Sequence, residues 1–169
     1  MKNIKHNTIR SLGYARNGTT IIELAIYMGI LAVILVVLAQ LFGSAVDVRR
    51  ESEATSYTTT DTRYLYNRFL YDISNADSIT TPANLGDTSA MLQYVKDGVT
   101  HTYQLSASDL VLDSVKLNSF GTSVSNISFQ RLGNAGGTHT IRLSYTVTSK
   151  VKKSTGNEIK TVTTTIGMR

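Results

Sequence analysis

The sequence predicts an α+β protein in which one long N-terminal α-helix, half membrane-length and half amphipathic, packs on a C-terminal antiparallel β-sheet. Three observations carry this. Residues 21–46 form an apolar run whose only charged side chain is Glu23. Leu65, Phe69 and Ile73 then recur in steps of four, the period of a helix face. Beyond Pro82, the only proline, apolar side chains recur at every second position, the period of a strand.

The chain has 169 residues, enough for one modest domain with additions. Its net charge of +5 is unevenly placed. Lys2, Lys5, Arg10 and Arg16 precede Gly18 with no acidic residue among them. The other thirteen basic residues face twelve acidic ones, so the rest of the chain is nearly neutral and its charge gives no argument for binding nucleic acid. There is no cysteine, which excludes disulfides, thiolate metal sites and a cysteine nucleophile.

Residues 1–18 are polar and basic without hydrophobic periodicity and read as a leader peptide that stays in the cytosol under the positive-inside rule and is discarded. A basic tail kept for life is the alternative reading. Residues 19–46 form the membrane segment. As a helix, residues 21–46 would span roughly 39 Å, enough to cross a hydrocarbon core of about 30 Å with some tilt. Tyr27 and Gln40 interrupt the apolar surface, and Gly29 and Ala32 are small enough to let another helix come close. A carboxylate at the mouth of such a helix is costly and is usually kept for a partner. Two other readings compete. A secretory signal cut after Ala45 would use Gly43-Ser44-Ala45 as its cleavage site, and a plain single-pass anchor would use the same apolar run. Neither finds a use for Glu23, and the chain continues past Ala45 with no proline or glycine to stop a helix.

Residues 47–80 continue the helix in amphipathic form. Tyr66 and Leu70 widen the stripe of Leu65, Phe69 and Ile73, while Arg49 with Glu53 and Arg68 with Asp72 stand at i, i+4. Residues 55–62 are the weak link, with five threonines and little apolar surface, and are expected to bend, fray or be held only by neighbours. An unbroken helix from Thr19 to Ala76 would be about 85 Å long. Residues 78–87 hold Pro82, Asn84, Gly86 and Asp87 and read as a turn region.

The head domain follows, residues 81–169. Met91-Leu92-Gln93-Tyr94-Val95 and Val99-Thr100-His101-Thr102-Tyr103-Gln104-Leu105 flank Lys96-Asp97-Gly98, and Asp-Gly between such runs predicts a hairpin with Val99, Tyr103 and Leu105 on one face. Strands are expected over residues 110–112 and over 124–132, the latter with Ile127 and Phe129 on one side. Residues 138–151 form another, with Ile141, Leu143, Tyr145 and Val147 inward. Gly133-Asn134-Ala135-Gly136-Gly137 joins the last two, and Ser154-Thr155-Gly156-Asn157 turns the chain into a closing strand over 158–166. One polar face per strand predicts a sheet of about five or six strands covered on one side by the helix stripe.

No catalytic constellation stands out in this head. His6, His101 and His139 show no metal-ligand spacing, and His101 reads as a satisfied core or edge histidine. Lys150, Lys152 and Lys153 read as a solvated turn rather than a binding patch, and no spacing matches a phosphate loop or a calcium loop. The expectation is a protein that is not an enzyme, with no metal, no cofactor and no direct nucleic-acid site.

Gly18-Thr19-Thr20-Ile21-Ile22-Glu23, preceded by a basic leader and followed by an uninterrupted apolar helix, resembles the N-terminus of type IV prepilins and pseudopilins. The helix end Tyr64-Leu65-Tyr66-Asn67-Arg68-Phe69-Leu70-Tyr71-Asp72-Ile73 and the β-rich half after it resemble minor pseudopilins of the J type and related minor pilins of pili and competence systems. The resemblance implies a type IV pilin-like fold, cleavage after Gly18 by a prepilin peptidase, and Thr19 as the new N-terminus and site of N-methylation. It implies Glu23 as the assembly carboxylate. It also implies a single-pass protein of the cytoplasmic membrane, its head outside the cytoplasm, that enters a pilus or pseudopilus through the filament assembly platform and contacts other pilin or pseudopilin subunits. Secretion, DNA uptake and adhesion are the roles such filaments serve. The alternative is a membrane-anchored or signal-peptide-secreted β-domain that binds a partner through its head. Thr19 stands where the family most often has phenylalanine, and Gln40 stands where many major pilins have a helix-kinking proline, which points to a minor subunit or a straighter helix.

Overall fold

Thr20 and Glu23 stand at the spacing of a helix-capping box, and a helix starts on them. The computed structural model describes residues 20–133 and 139–169. The expected leader, Gly18, Thr19 and residues 134–137 of the glycine-rich turn lie outside the described residues. The chain divides into two units, Met1–Gly43 and Ser44–Arg169, and helix α1, Ile21–Ser74, contributes to both.

The threonine-rich stretch is helical throughout. The buried residues of α1 are Ala54, Thr58, Asp61, Thr62, Leu65, Phe69, Asp72 and Ile73, each three or four from another, so the stripe of Leu65, Phe69 and Ile73 continues back through the polar residues 54–62. Neighbours hold the polar part. Thr58 Oγ1 donates to the Ala54 carbonyl at 2.8 Å, and the Tyr145 hydroxyl donates to the Thr62 carbonyl at 3.0 Å. The Asp61 carboxylate accepts from the Ser119 N–H and hydroxyl, each at 2.8 Å, and from the Thr122 hydroxyl. Leu70, expected on the widened stripe, is 40% exposed, because the buried stripe is narrower than its apolar spacing suggested.

Among the described residues nine strands follow where about five or six were expected: β1 (Ser78–Thr81), β2 (Thr88–Ser89), β3 (Leu92–Lys96), β4 (Val99–Ser106), β5 (Asp109–Leu112), β6 (Val115–Lys116), β7 (Thr122–Leu132), β8 (Thr140–Lys153) and β9 (Gly156–Gly167). They form two antiparallel sheets, ordered β1-β3-β4-β5-β6 and β2-β7-β8-β9. The expected turn over residues 78–87 is corrected at its start, since Ile79 is buried and pairs with Tyr94. The breakers follow it, beginning with Pro82 after a cis peptide bond.

The Asp97-Gly98 hairpin forms as expected. Lys96 pairs with Val99, and both loop residues have positive φ, 53° and 76°, as a type I′ turn requires. Two further two-residue hairpins take positive φ without a glycine, the first at one loop residue and the second at both. Ala107 (φ 56°) lies between paired Ser106 and Asp109, and Asp113 and Ser114 (φ 50° and 72°) lie between Leu112 and Val115. Within β4, Tyr103 is buried as expected and Val99, at the hairpin end, is exposed. In β7, Asn126 at φ 52° sits in a bulge that resets the alternation, so that Val124 before it and Ile127 and Phe129 after it are all buried. In β8, Ile141, Leu143, Tyr145 and Val147 are fully buried, as their alternation predicted.

The core closes on Phe69. Its ring centroid lies 4.7 Å from Tyr103 of the first sheet and 5.7 Å from both Phe129 and Tyr145 of the second. One side chain of α1 therefore bridges both sheets.

Candidate assembly site

Glu23 is placed by the helix start. Its N–H donates to Thr20 Oγ1 at 3.3 Å, so Thr20 satisfies one of the donors that open a helix. A carboxylate in this first turn also meets the positive end of the helix dipole. The side chain does not fold back on the cap. Glu23 Oε1 accepts the Tyr27 hydroxyl at 2.9 Å, one turn further along the same face. Among the described residues Glu23 Oε2 has no hydrogen-bond partner.

Around this pair the apolar surface is bare. Ile21 is 89% and Phe42 74% exposed, and every residue from 20 to 44 is exposed. The helix is long and apolar enough to cross a membrane. Gly29 has nothing within 4 Å of where a Cβ would stand, so a second helix meets no side chain there. Such a surface is stable only in lipid or against other apolar helices.

Of the expected site residues, the structure places Glu23 in this setting, while Gly18 and Thr19 lie outside the described residues. Tyr27 belongs to the site although the sequence marked it only as an interruption. The signal available was its i+4 spacing from the sole acidic side chain of the run.

In the head, Tyr64, Arg68, His101, Leu112, Asp113, Val115 and Leu117 line a groove of about 320 Å³. Asp113 Oδ2 lies 2.6 Å from His101 Nδ1, and Asp113 Oδ1 accepts the Thr102 N–H at 2.7 Å. Burial opposes ionisation of Asp113, but these two bonds together with the charge of the nearby Arg68 and the pairing with His101 outweigh it and hold the carboxyl below its usual range. His101 is thus a satisfied, half-buried histidine on the central strand β4, stacked on Tyr94 with centroids 5.2 Å apart. Lys153 pairs with Glu158 across the β8–β9 turn. Among the described residues no three His, Asp or Glu side chains converge as metal ligands would.

No protein-family model matches the chain. No curated protein matches it, and no solved structure does.

Proposed function

We propose that the chain is a structural subunit, of the minor kind, of a type IV pilus-like or type II secretion-like filament. In this reading it enters the cytoplasmic membrane as a prepilin with its head outside the cytoplasm. A prepilin peptidase cuts after Gly18, Thr19 becomes the N-terminus and the site of methylation, and the assembly platform packs the helix among other subunits. The observation that carries the reading is Glu23, the single charge of the bare apolar run 21–46, set in the first turn of α1 with one carboxylate oxygen unpartnered among the described residues.

The electrostatics supply the reason. Cleavage frees an α-amine with an ordinary pKa of about 8. In an apolar filament core that cation and the Glu23 carboxylate both need partners, and adjoining subunits displaced along the axis offer each to the other. In low dielectric the pair discriminates strongly against wrong register, while desolvation offsets much of its net attraction. Before cleavage the nitrogen is locked in a peptide bond and carries no charge.

N-terminal sequencing of the mature protein tests the reading. Thr19 is expected, whereas Met1 or Val46 would support a tethered or secreted β-domain instead. Gly18→Leu is expected to block processing, read as retained mass on a gel. Glu23→Ala and Glu23→Val are expected to insert normally and to be lost from the sheared filament fraction. Wild-type incorporation of either would count against the assembly role.

A further inference from the structure

We propose that the Tyr27 hydroxyl is the resident partner of the Glu23 carboxylate in the unassembled chain, and that it positions that carboxylate for the incoming amine. The inference deepens the filament reading and rests on it for its assembly readout. A carboxylate in or near hydrocarbon without a hydrogen-bond donor is strongly disfavoured. Between residues 24 and 39 the Tyr27 hydroxyl is the only side-chain group with a hydrogen on oxygen or nitrogen. It stands at the i+4 register, which reaches Glu23, and it does reach, at 2.9 Å. The other polar interruption, Gln40, lies more than four turns away along the helix.

The stoichiometry of the contact suits a placeholder. An ionised carboxylate offers about four acceptor positions, and one phenol hydroxyl fills only one of them. Tyr27 occupies Oε1, and Oε2 has no partner among the described residues. A second donor can therefore join without displacing the first. Holding the carboxylate in one rotamer before the amine arrives also removes side-chain freedom that association would otherwise have to freeze. Tyr27 is in this sense a positioning residue that acts through Glu23.

Tyr27→Phe removes the hydroxyl and keeps the ring. With isotopically carboxyl-labelled glutamate in the full chain in detergent micelles, infrared difference spectra between wild type and Tyr27→Phe are expected to show a shifted carboxylate band. The shift is expected to vanish when both chains also carry Glu23→Gln. An unshifted band overturns the assignment. In cells, Tyr27→Phe is expected to lower the sheared filament fraction roughly tenfold, the scale of one charge-assisted hydrogen bond, at unchanged membrane level. Tyr27→Gln, whose amide can donate from the same register, is expected to restore most of it. Wild-type incorporation of Tyr27→Phe beside a failing Glu23→Ala overturns the positioning role and leaves the filament reading standing. Wild-type incorporation of Glu23→Ala overturns the filament reading, and the infrared band then decides alone whether Tyr27 holds the carboxylate.

Discussion

Tyr103 of β4 donates its hydroxyl to the Asp72 carboxylate of α1 at 2.5 Å, inside the head. Arg68 Nε reaches the same oxygen at 2.8 Å from one helical turn away. Burial, reinforced by the bond to Asp72, lifts the Tyr103 hydroxyl far above the ordinary phenol range. Tyr103→Phe removes the shortest hydrogen bond to the buried carboxylate and is expected to cost about 1–3 kcal/mol. Urea unfolding of the full chain in detergent micelles checks this, with the midpoint lowered and the slope unchanged.

Asp61 anchors the polar half of the buried stripe by accepting from Ser119 twice and from Thr122 once. Asp61→Ala orphans three donors at a site where Asp61 itself is only 6% exposed. The expected cost is about 3 kcal/mol, while Asp61→Asn keeps part of the accepting capacity and is expected to cost less. Equal losses in the two variants, measured by the same unfolding assay, would contradict the hydrogen-bond account.

Gly121 lies against the Tyr57 ring, and a Cβ there would meet ring carbons at 2.8 Å. Gly121→Ala therefore forces the ring aside and is expected to destabilise by about 1–3 kcal/mol. In a Tyr57→Ala background the same change is expected to cost much less, because the three atoms nearest that Cβ all belong to the Tyr57 ring. Additive losses in the double variant would show that Gly121 serves some other constraint.

Acid and alkali are expected to weaken the head by separate routes. The Lys116 ammonium, 2.9 Å away, and the Asn118 amide hold the Asp109 carboxyl below its usual value. His101 and Thr102 hold Asp113 below its own. The folded pKa values lie below the unfolded ones, so the unfolded chain takes up protons first and stability falls as pH drops below about 4. Asp109→Asn is expected to flatten that limb. On the alkaline side, burial raises the hydroxyls of Tyr94 and Tyr103 and pushes Tyr145 up to about 12. The unfolded tyrosines ionise near pH 10 while the folded ones keep their protons, so stability falls from about pH 10 upward. Melting temperature against pH checks both limbs.

Local periods made much of this architecture legible. The step-of-four stripe marked the buried face through Leu65, Phe69 and Ile73, and the alternation in β8 named its four core residues because a pleated strand shows one face per second residue. Asp97-Gly98 disclosed its hairpin because glycine advertises positive φ. The turns at Ala107 and at Asp113-Ser114 did not, since non-glycine residues take up that conformation only where the flanking strands hold them there. The start of the region read as a turn hid a strand for a similar reason. Ser78–Thr81 is too short to show a period and becomes a strand by pairing with β3.

The sequence by itself determined the membrane-length helix, its lone carboxylate and the α+β layout, because charge, length and periodicity are properties of neighbours along the chain. Only the tertiary structure decided that the strands divide into two sheets bridged by Phe69, and that the threonine-rich turns are secured by Asp61 and Tyr145. Those contacts join residues far apart in sequence, and a polar side chain carries no local mark of the partner that will satisfy it. The Glu23–Tyr27 bond stands between the two cases. Its spacing was written in the chain, but that the hydroxyl turns toward the carboxylate is a fact of the folded helix.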